Sequence, residues 1–204
     1  MENNFSPEES LRVIQTMIDK TKTSVVDKSF YFLLWGWLVF TGALLQYILV
    51  VYVQTPANGA AWNVMFIGFI VSIIRRRRQK PRAVKTYVDD GLANIWLSIL
   101  VVQILIVFIF FRYRDWEHCY PFFVLIYSVG CFLTGRLIKF NPLIWGAVTC
   151  WAVAILMTVN DAITNMLLTA AAVLVSYIIP GYLLRREYKI RLSDQHTQLT
   201  NQTD

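Results

Sequence analysis

The sequence predicts an all-α protein, a polytopic membrane helix bundle with six transmembrane helices and an amphipathic helix in front of them. Of its 204 residues, 56% are hydrophobic and only 16% are charged. That is more apolar side chain than one small soluble core can bury. The apolar residues form six long runs, and the charged residues lie between the runs. The excess apolar surface therefore has to face lipid.

The first segment, residues 1–29, has the pattern of an amphipathic helix. Ser6 and Glu9 form an S-x-x-E capping box, and Pro7 suits the first helical turn. Four apolar residues then share one stripe, namely Leu11, Ile14, Ile18 and Val25. We expect this helix on the cytoplasmic side, at the membrane interface or under the bundle. A partner-binding or coiled-coil helix is the alternative.

Residues 30–191 form the predicted six-helix transmembrane domain. Each apolar run is roughly long enough to cross ~30 Å of hydrocarbon as a helix. An isolated strand in lipid would leave its backbone groups unpaired. The runs lie at 30–53, 59–74, 91–111, 120–138, 143–159 and 163–184, and the second and fifth are the shortest. The polar tail 192–204 has no apolar periodicity, which predicts disorder.

The basic residues predict the orientation of the chain. With a cytoplasmic N-terminus, seventeen of the nineteen Lys and Arg residues face the cytoplasm, and only Arg112 and Arg114 lie outside. This asymmetry is the positive-inside pattern, and it predicts that both termini are cytoplasmic. The densest cluster follows the second run and contains Arg75, Arg76, Arg77, Arg78, Lys80 and Arg82.

We interpret this cluster as the cytoplasmic turn between the second and third runs, where the charges set the orientation of the chain. A dedicated binding patch is the alternative, because such a cluster also attracts anionic lipid head groups. A cytoplasmic protein partner and a homo-oligomer are further open possibilities. A nucleic-acid binder would place such charges on one face of a soluble domain. Here the charges separate membrane spans, so we expect no nucleic-acid partner.

The residues that carry chemistry are sparse in the apolar runs. The two histidines, His118 and His196, both lie outside them. The runs lack an activated nucleophile or a cluster of carboxylates, so we expect neither catalysis nor a cofactor. The three cysteines have no paired spacing. One external loop combines Asp115, Glu117, His118 and Cys119, which are too few positions for a convincing metal site.

Five neutral polar residues are candidates for lining a cavity between helices: Gln46, Asn63, Asn94, Gln103 and Asn165. Such residues also hydrogen-bond to neighbouring helices. Two functions follow from the two interpretations. The first is a non-catalytic membrane protein whose cytoplasmic face contacts lipid or a protein partner. The alternative is a small-solute transporter or a substrate-binding membrane component.

Tryptophan and arginine recur in three pairs at a spacing of forty residues. The pairs are Trp35 with Arg75, Trp96 with Arg136, and Trp145 with Arg185. An ungapped shift of 110 residues also aligns "LLWG" with "LIWG". An internal repeat of three two-helix hairpins explains this spacing. The ordinary length of a hairpin, with aromatic and basic residues at its ends, explains it equally.

The sixth run contains the stretch "TAAAVLVSYIIPG", which predicts two local features. Ala172 and Ser176 offer a small edge for close helix packing. Pro180 and Gly181 then indicate a kink or an early helix end.

The stretch "FYFLLWGWLVF", preceded by "PEESLRVIQTMIDK", resembles an uncharacterised family of small bacterial multi-pass membrane proteins. The likeness covers about the first fifty residues. It implies a bacterial inner-membrane location and no known activity. In size and span number the chain is also similar to the substrate-binding components of vitamin-uptake transporters. The first span, however, lacks their A-x-x-x-A coupling motif.

Overall fold

The computed structural model describes residues 29–78, 87–116, 118–187 and 190 of the protein. Within these ranges every regular element is helical, which confirms the all-α prediction. The six main helices are α1 (Ser29–Val53), α2 (Val64–Arg78), α3 (Tyr87–Tyr113), α4 (Tyr120–Leu137), α5 (Asn141–Met157) and α6 (Ala162–Glu187). A short 3-10 helix, Asn58–Asn63, leads into α2. Each predicted apolar run overlaps one of these helices, and the second run also includes most of the 3-10 helix before α2.

Four of the described helices, α1, α3, α4 and α6, are long and apolar enough to cross a membrane. The other two apolar helices, Gly59–Arg75 and Asn141–Met157, are shorter. A helix of 17 residues, the length of α5, spans about 26 Å, against ~30 Å of hydrocarbon. The structure thus has four candidate spans where the sequence predicted six. The predicted amphipathic helix before Ser29 and the polar tail lie outside the described residues.

The starts of the last two helices follow from local sequence. Pro142 stands in the first turn of α5, where the missing N–H of proline costs no hydrogen bond. Asp161 precedes α6, and its Oδ1 accepts a hydrogen bond from the Thr164 hydroxyl at 2.6 Å. This bond holds the pKa of Asp161 below its ordinary value. The carboxylate also suits the positive end of the helix dipole.

A tight turn joins α4 to α5. Lys139 adopts a left-handed conformation with φ of 54°. The Phe140 N–H then donates to the Gly135 carbonyl at 2.9 Å. This is the pattern of a helix end closed by one left-handed residue. The turn brings α5 directly alongside α4, where Ile144 packs against Gly135.

The core lies between α4, α5 and α6. Buried residues are frequent along these three helices. The largest fully buried side chains include Val124 of α4, Leu143 and Met157 of α5, and Val173 of α6. Most large side chains of α3 are exposed instead, as are many on α2. These apolar exposed faces fit contact with lipid.

A wide turn in α6 is held between two glycines. Residues Leu174–Ile178 form one π-helical turn. A Cβ on Gly36 of α1 would stand 2.9 Å from Tyr177 Cβ, and one on Gly146 of α5 would stand 3.0 Å from both Ser176 Cα and the Val175 carbonyl oxygen. Only glycine lets helices approach this closely. α6 therefore packs between α1 and α5 at this turn.

The Pro180 and Gly181 pair does not end the last helix, because α6 continues to Glu187. The π turn ends at Ile178, two residues before Pro180. Pro180 has no backbone N–H, so the helix loses one hydrogen-bond donor at that position. Gly181 instead provides space for α1, since a Cβ there would stand 3.0 Å from Leu33 Cδ2. The Ala172 and Ser176 edge is buried as predicted.

The same kind of contact, between a tryptophan and a glycine, occurs within each of the first two hairpins. A Cβ on Gly68 of α2 would stand 3.5 Å from the Trp35 ring of α1, and one on Gly130 of α4 would stand 3.3 Å from the Trp96 ring of α3. The third hairpin differs, because Trp145 of α5 is 70% exposed. The tryptophan-to-glycine contact thus occurs in two hairpins and is absent from the third.

Candidate functional site

One end of the bundle, which we call the basic end, holds the start of α1 and the ends of α2 and α6. The Arg75 guanidinium of α2 lies over the Phe30 ring of α1, 3.9 Å from its centroid. Leu33 of α1 contacts Gly181 of α6. The α4–α5 turn lies at the same end. The basic residues described here are Arg75 to Arg78, Arg136, Lys139, Arg185 and Arg186.

The predicted contact residues lie largely at this end. Arg77 and Arg78 are exposed, and Arg75 is half-buried against Phe30. Arg76 belongs to the same helical turn of α2. Lys80 and Arg82 lie outside the described residues. The opposite end of the bundle carries Arg112 and Arg114 at the end of α3.

A surface groove starts at the basic end and follows one face of α1. Its volume is about 380 Å³. Its apolar floor is built by residues that recur every three or four positions, Phe30, Leu33, Leu34, Trp37 and Leu38, followed by Thr41. Arg185 of α6 lines it at the basic end. The groove is apolar along its length and cationic at one end.

Gln46, one of the five candidate cavity residues, makes two side-chain hydrogen bonds to other elements. Its side-chain oxygen accepts hydrogen bonds from Trp62 Nε1 at 2.7 Å and from the Tyr120 hydroxyl at 2.9 Å. These donors come from the 3-10 helix and from α4. Gln46 therefore ties three elements together at the end of the bundle opposite the basic end.

The other four candidates do not join Gln46 in one site. Asn165 is buried at the start of α6, where its Nδ2 donates to the Met157 carbonyl at 3.0 Å. Asn63 and Asn94 are exposed, and Gln103 is half-buried on α3. Neither of the two surface cavities described here is lined by any of the five. The small-solute carrier stays a prediction.

A buried cluster of aromatic rings surrounds the π turn, and the sequence did not point to it. The Tyr177 ring lies 5.4 Å from Phe32, 5.4 Å from Tyr127 and 6.0 Å from Trp96, measured between ring centroids. These rings belong to four different helices. The spacing of Phe32 and Trp35 on α1 could have indicated an inward aromatic face, but it does not name the partners.

Polar groups beside this cluster are paired with one another. The Cys150 thiol donates to the Ala172 carbonyl at 3.4 Å and lies 3.7 Å from the Tyr127 hydroxyl. The Ser176 hydroxyl donates to the same Ala172 carbonyl at 2.8 Å. Buried polar groups that are satisfied in this way stabilise packing and orient their helices. The arrangement fixes α5 against α6 and supplies no open site.

The loop between α3 and α4 holds two local pairs. His118 Nδ1 lies 2.7 Å from Asp115 Oδ1, and the Cys119 thiol donates to the Trp116 carbonyl at 3.0 Å. Burial raises the pKa of the Cys119 thiol to about 12. Glu117 lies outside the described residues, and within them no three metal-binding side chains gather. A second cavity, of about 490 Å³, lies beside Phe111 and Trp116.

The several long apolar helices, with their exposed apolar faces, fit the class of helical-bundle membrane proteins. Comparisons of the chain with protein-family models, with curated proteins and with solved structures found no match.

Proposed function

We propose that this chain is a non-catalytic integral protein of the bacterial inner membrane whose basic end contacts anionic lipid of the cytoplasmic leaflet. The observation that supports this function is the asymmetry of charge along the bundle. Arginine and lysine residues cluster where α2, α4 and α6 end, whereas the opposite end has two arginines in the sequence, Arg112 in the last turn of α3 and Arg114 just after it. Basic clusters at the membrane surface attract anionic head groups.

The proposal includes six spans with both termini cytoplasmic, and contacts of the two short helices support it. Gly68 of α2 packs against Trp35 and Leu38 of α1, and Arg75 at the end of α2 reaches Phe30 at the start of α1. α2 therefore returns along α1 to the basic end. α5 follows α4 back from the tight turn at Lys139. Short helices of this kind are accommodated by local thinning of the bilayer.

The first prediction concerns topology. Gly59→Cys and Arg78→Cys should be labelled from opposite sides of the membrane by an impermeant maleimide. Both positions are exposed, and a side chain at Gly59 would meet nothing within 4 Å. The Arg78→Cys thiol is expected to be reached from the cytoplasmic side. The measurement compares the labelling of each engineered cysteine in intact cells with its labelling in inverted membrane vesicles.

The native cysteines provide the background for that experiment. All three are buried. Because a maleimide reacts with the thiolate, the raised pKa of about 12 leaves Cys119 with about a thousandfold less thiolate near pH 7 than an ordinary thiol of pKa 9.0. The unsubstituted protein should therefore stay almost unlabelled. Labelling of both engineered cysteines from the same side would contradict the six-span topology.

The second prediction concerns the exposed arginines. Arg77→Gln combined with Arg78→Gln should leave membrane insertion intact, because the remaining cytoplasmic basic residues still far outnumber Arg112 and Arg114. Retention of anionic phospholipid should weaken by roughly 1 kcal/mol per lost charge at low salt. The difference should fade at high salt. Phosphatidylglycerol retained by the purified protein is the measurement.

The matched control keeps the charge at both positions. Arg77→Lys combined with Arg78→Lys should retain phosphatidylglycerol as the unsubstituted protein does. If the glutamine variant retains as much lipid as the lysine variant at low salt, the basic end is an orientation signal alone and the lipid-contact function is wrong.

A further inference from the structure

The surface groove along α1 is lined by apolar side chains and has Arg185 at one end. α1 contacts a neighbouring helix on each side of the groove. Leu38 of α1 packs against Gly68 of α2, and Leu33 packs against Gly181 of α6. Glycine at both contacts lets α2 and α6 close on α1. The face of α1 that carries Phe30, Leu34 and Trp37 remains open between them.

The length of the groove matches one leaflet. Phe30 and Thr41 mark its two ends, and eleven residues of helix span about 16 Å. Half of the ~30 Å hydrocarbon core is about 15 Å. An acyl chain whose head group lies at the basic end would therefore extend along the groove to the middle of the bilayer.

The charge of the groove selects the head group. Arg185 lines the groove at the basic end. Arg75 stands at the same end, because its guanidinium lies over the ring of Phe30, which also lines the groove. Guanidinium groups bind phosphate oxygens through paired hydrogen bonds. The acidic residue Glu187 lies two positions after Arg185 on α6, and it does not line the groove.

We propose that this groove binds one anionic phospholipid of the cytoplasmic leaflet, with an acyl chain along α1 and its phosphate at Arg185. The inference rests on the proposed lipid-contacting function and makes it specific. Exposed arginines such as Arg77 and Arg78 attract the leaflet as a whole, whereas the groove holds one molecule in a fixed place.

Trp37 reports directly on the occupant, since it lines the groove and is 46% exposed. Bromine atoms on an acyl chain quench a tryptophan that they touch. The protein is reconstituted in phosphatidylcholine vesicles with a fixed fraction of either brominated phosphatidylglycerol or brominated phosphatidylcholine. The protein has seven tryptophans. The fluorescence of the Trp37→Phe variant, which comes from the other tryptophans, is therefore subtracted from that of the unsubstituted protein. We expect phosphatidylglycerol to quench Trp37 more strongly than phosphatidylcholine does.

The variants separate the groove from general charge. Arg185→Gln should lower the preference for phosphatidylglycerol at Trp37 by about fivefold. Arg185→Lys should retain most of the preference, and this charge-keeping change also controls for folding. Arg186→Gln removes the same charge from the next residue, which is exposed and does not line the groove. Because it lies at the basic end but outside the groove, Arg186→Gln should lower the preference at Trp37 by much less than Arg185→Gln does.

Each contrary result has a distinct meaning. Equal quenching by the two lipids in the unsubstituted protein, or an equal loss in Arg185→Gln and Arg186→Gln, overturns the groove site. Absence of quenching by either lipid also overturns it, because the groove is then covered by protein. If phosphatidylglycerol retention still depends on Arg77 and Arg78 in any of these cases, the proposed function stands without the groove.

Discussion

Gly146→Leu is expected to cost about 3 kcal/mol of unfolding free energy in mild detergent. A side chain at Gly146 would meet the Ser176 Cα and the Val175 carbonyl oxygen. These are backbone atoms, so no rotamer change relieves the clash, and α5 and α6 have to separate. The loss should be read from denaturant titration followed by tryptophan fluorescence or by size-exclusion elution.

Gly91→Leu on α3 is the matched control. A side chain there would meet nothing within 4 Å, so we expect a change within about 0.5 kcal/mol. Gly36→Leu should resemble Gly146→Leu, because it presses on Tyr177 from α1. Since both glycines contact the same π turn, the two losses should not add. Equal stability of the Gly91 and Gly146 variants would show that the close approach of α5 and α6 is wrong.

Gln46→Leu is expected to cost about 2 kcal/mol. The change removes the oxygen that accepts from Trp62 Nε1 and from the Tyr120 hydroxyl, and it leaves both donors without this partner. α1 then loses its polar contact with α4 and with the 3-10 helix. Denaturant titration in the same detergent measures the loss.

A double-mutant cycle with Tyr120→Phe isolates the bond between Gln46 and Tyr120. The losses of unfolding free energy in the two single variants should add up to more than the loss in the double variant, because both single changes remove the same hydrogen bond. Gln103→Leu makes the same substitution on α3, where the side chain is half-buried, and should change stability by less than about 0.5 kcal/mol. Additive losses at Gln46 and Tyr120 would rule out the bond.

The helices were predictable because the physics that places them is local. Apolar runs in lipid have to satisfy their own backbone hydrogen bonds, so the six runs predicted the six helices within a few residues. Whether α2 and α5 cross the membrane is harder to predict. Their lengths fall near the thickness of the hydrocarbon core, where flanking residues decide the outcome.

The contacts between helices were not predictable in the same way. Gln46, Asn63, Asn94, Gln103 and Asn165 are all neutral polar residues in or beside apolar runs. Only tertiary structure distinguishes Gln46, whose partner Tyr120 lies 74 positions away along the chain. The groove also depends on the position of α1 between two other helices. One signal was present, since the aligned "LLWG" and "LIWG" contain Gly36 and Gly146, which pack on the same π turn.

The contact between α1 and α6 has a consequence for biosynthesis. Gly36 and Leu33 on the earliest-made described helix pack against Tyr177 and Gly181 on the latest-made one. A ribosome delivers the chain from its N-terminus, so α1 has to wait for this partner while α2 to α5 are made. A nascent protein that stops after α5 therefore leaves this face of α1 uncovered. Premature termination exposes a surface to which chaperones and quality-control proteases can bind.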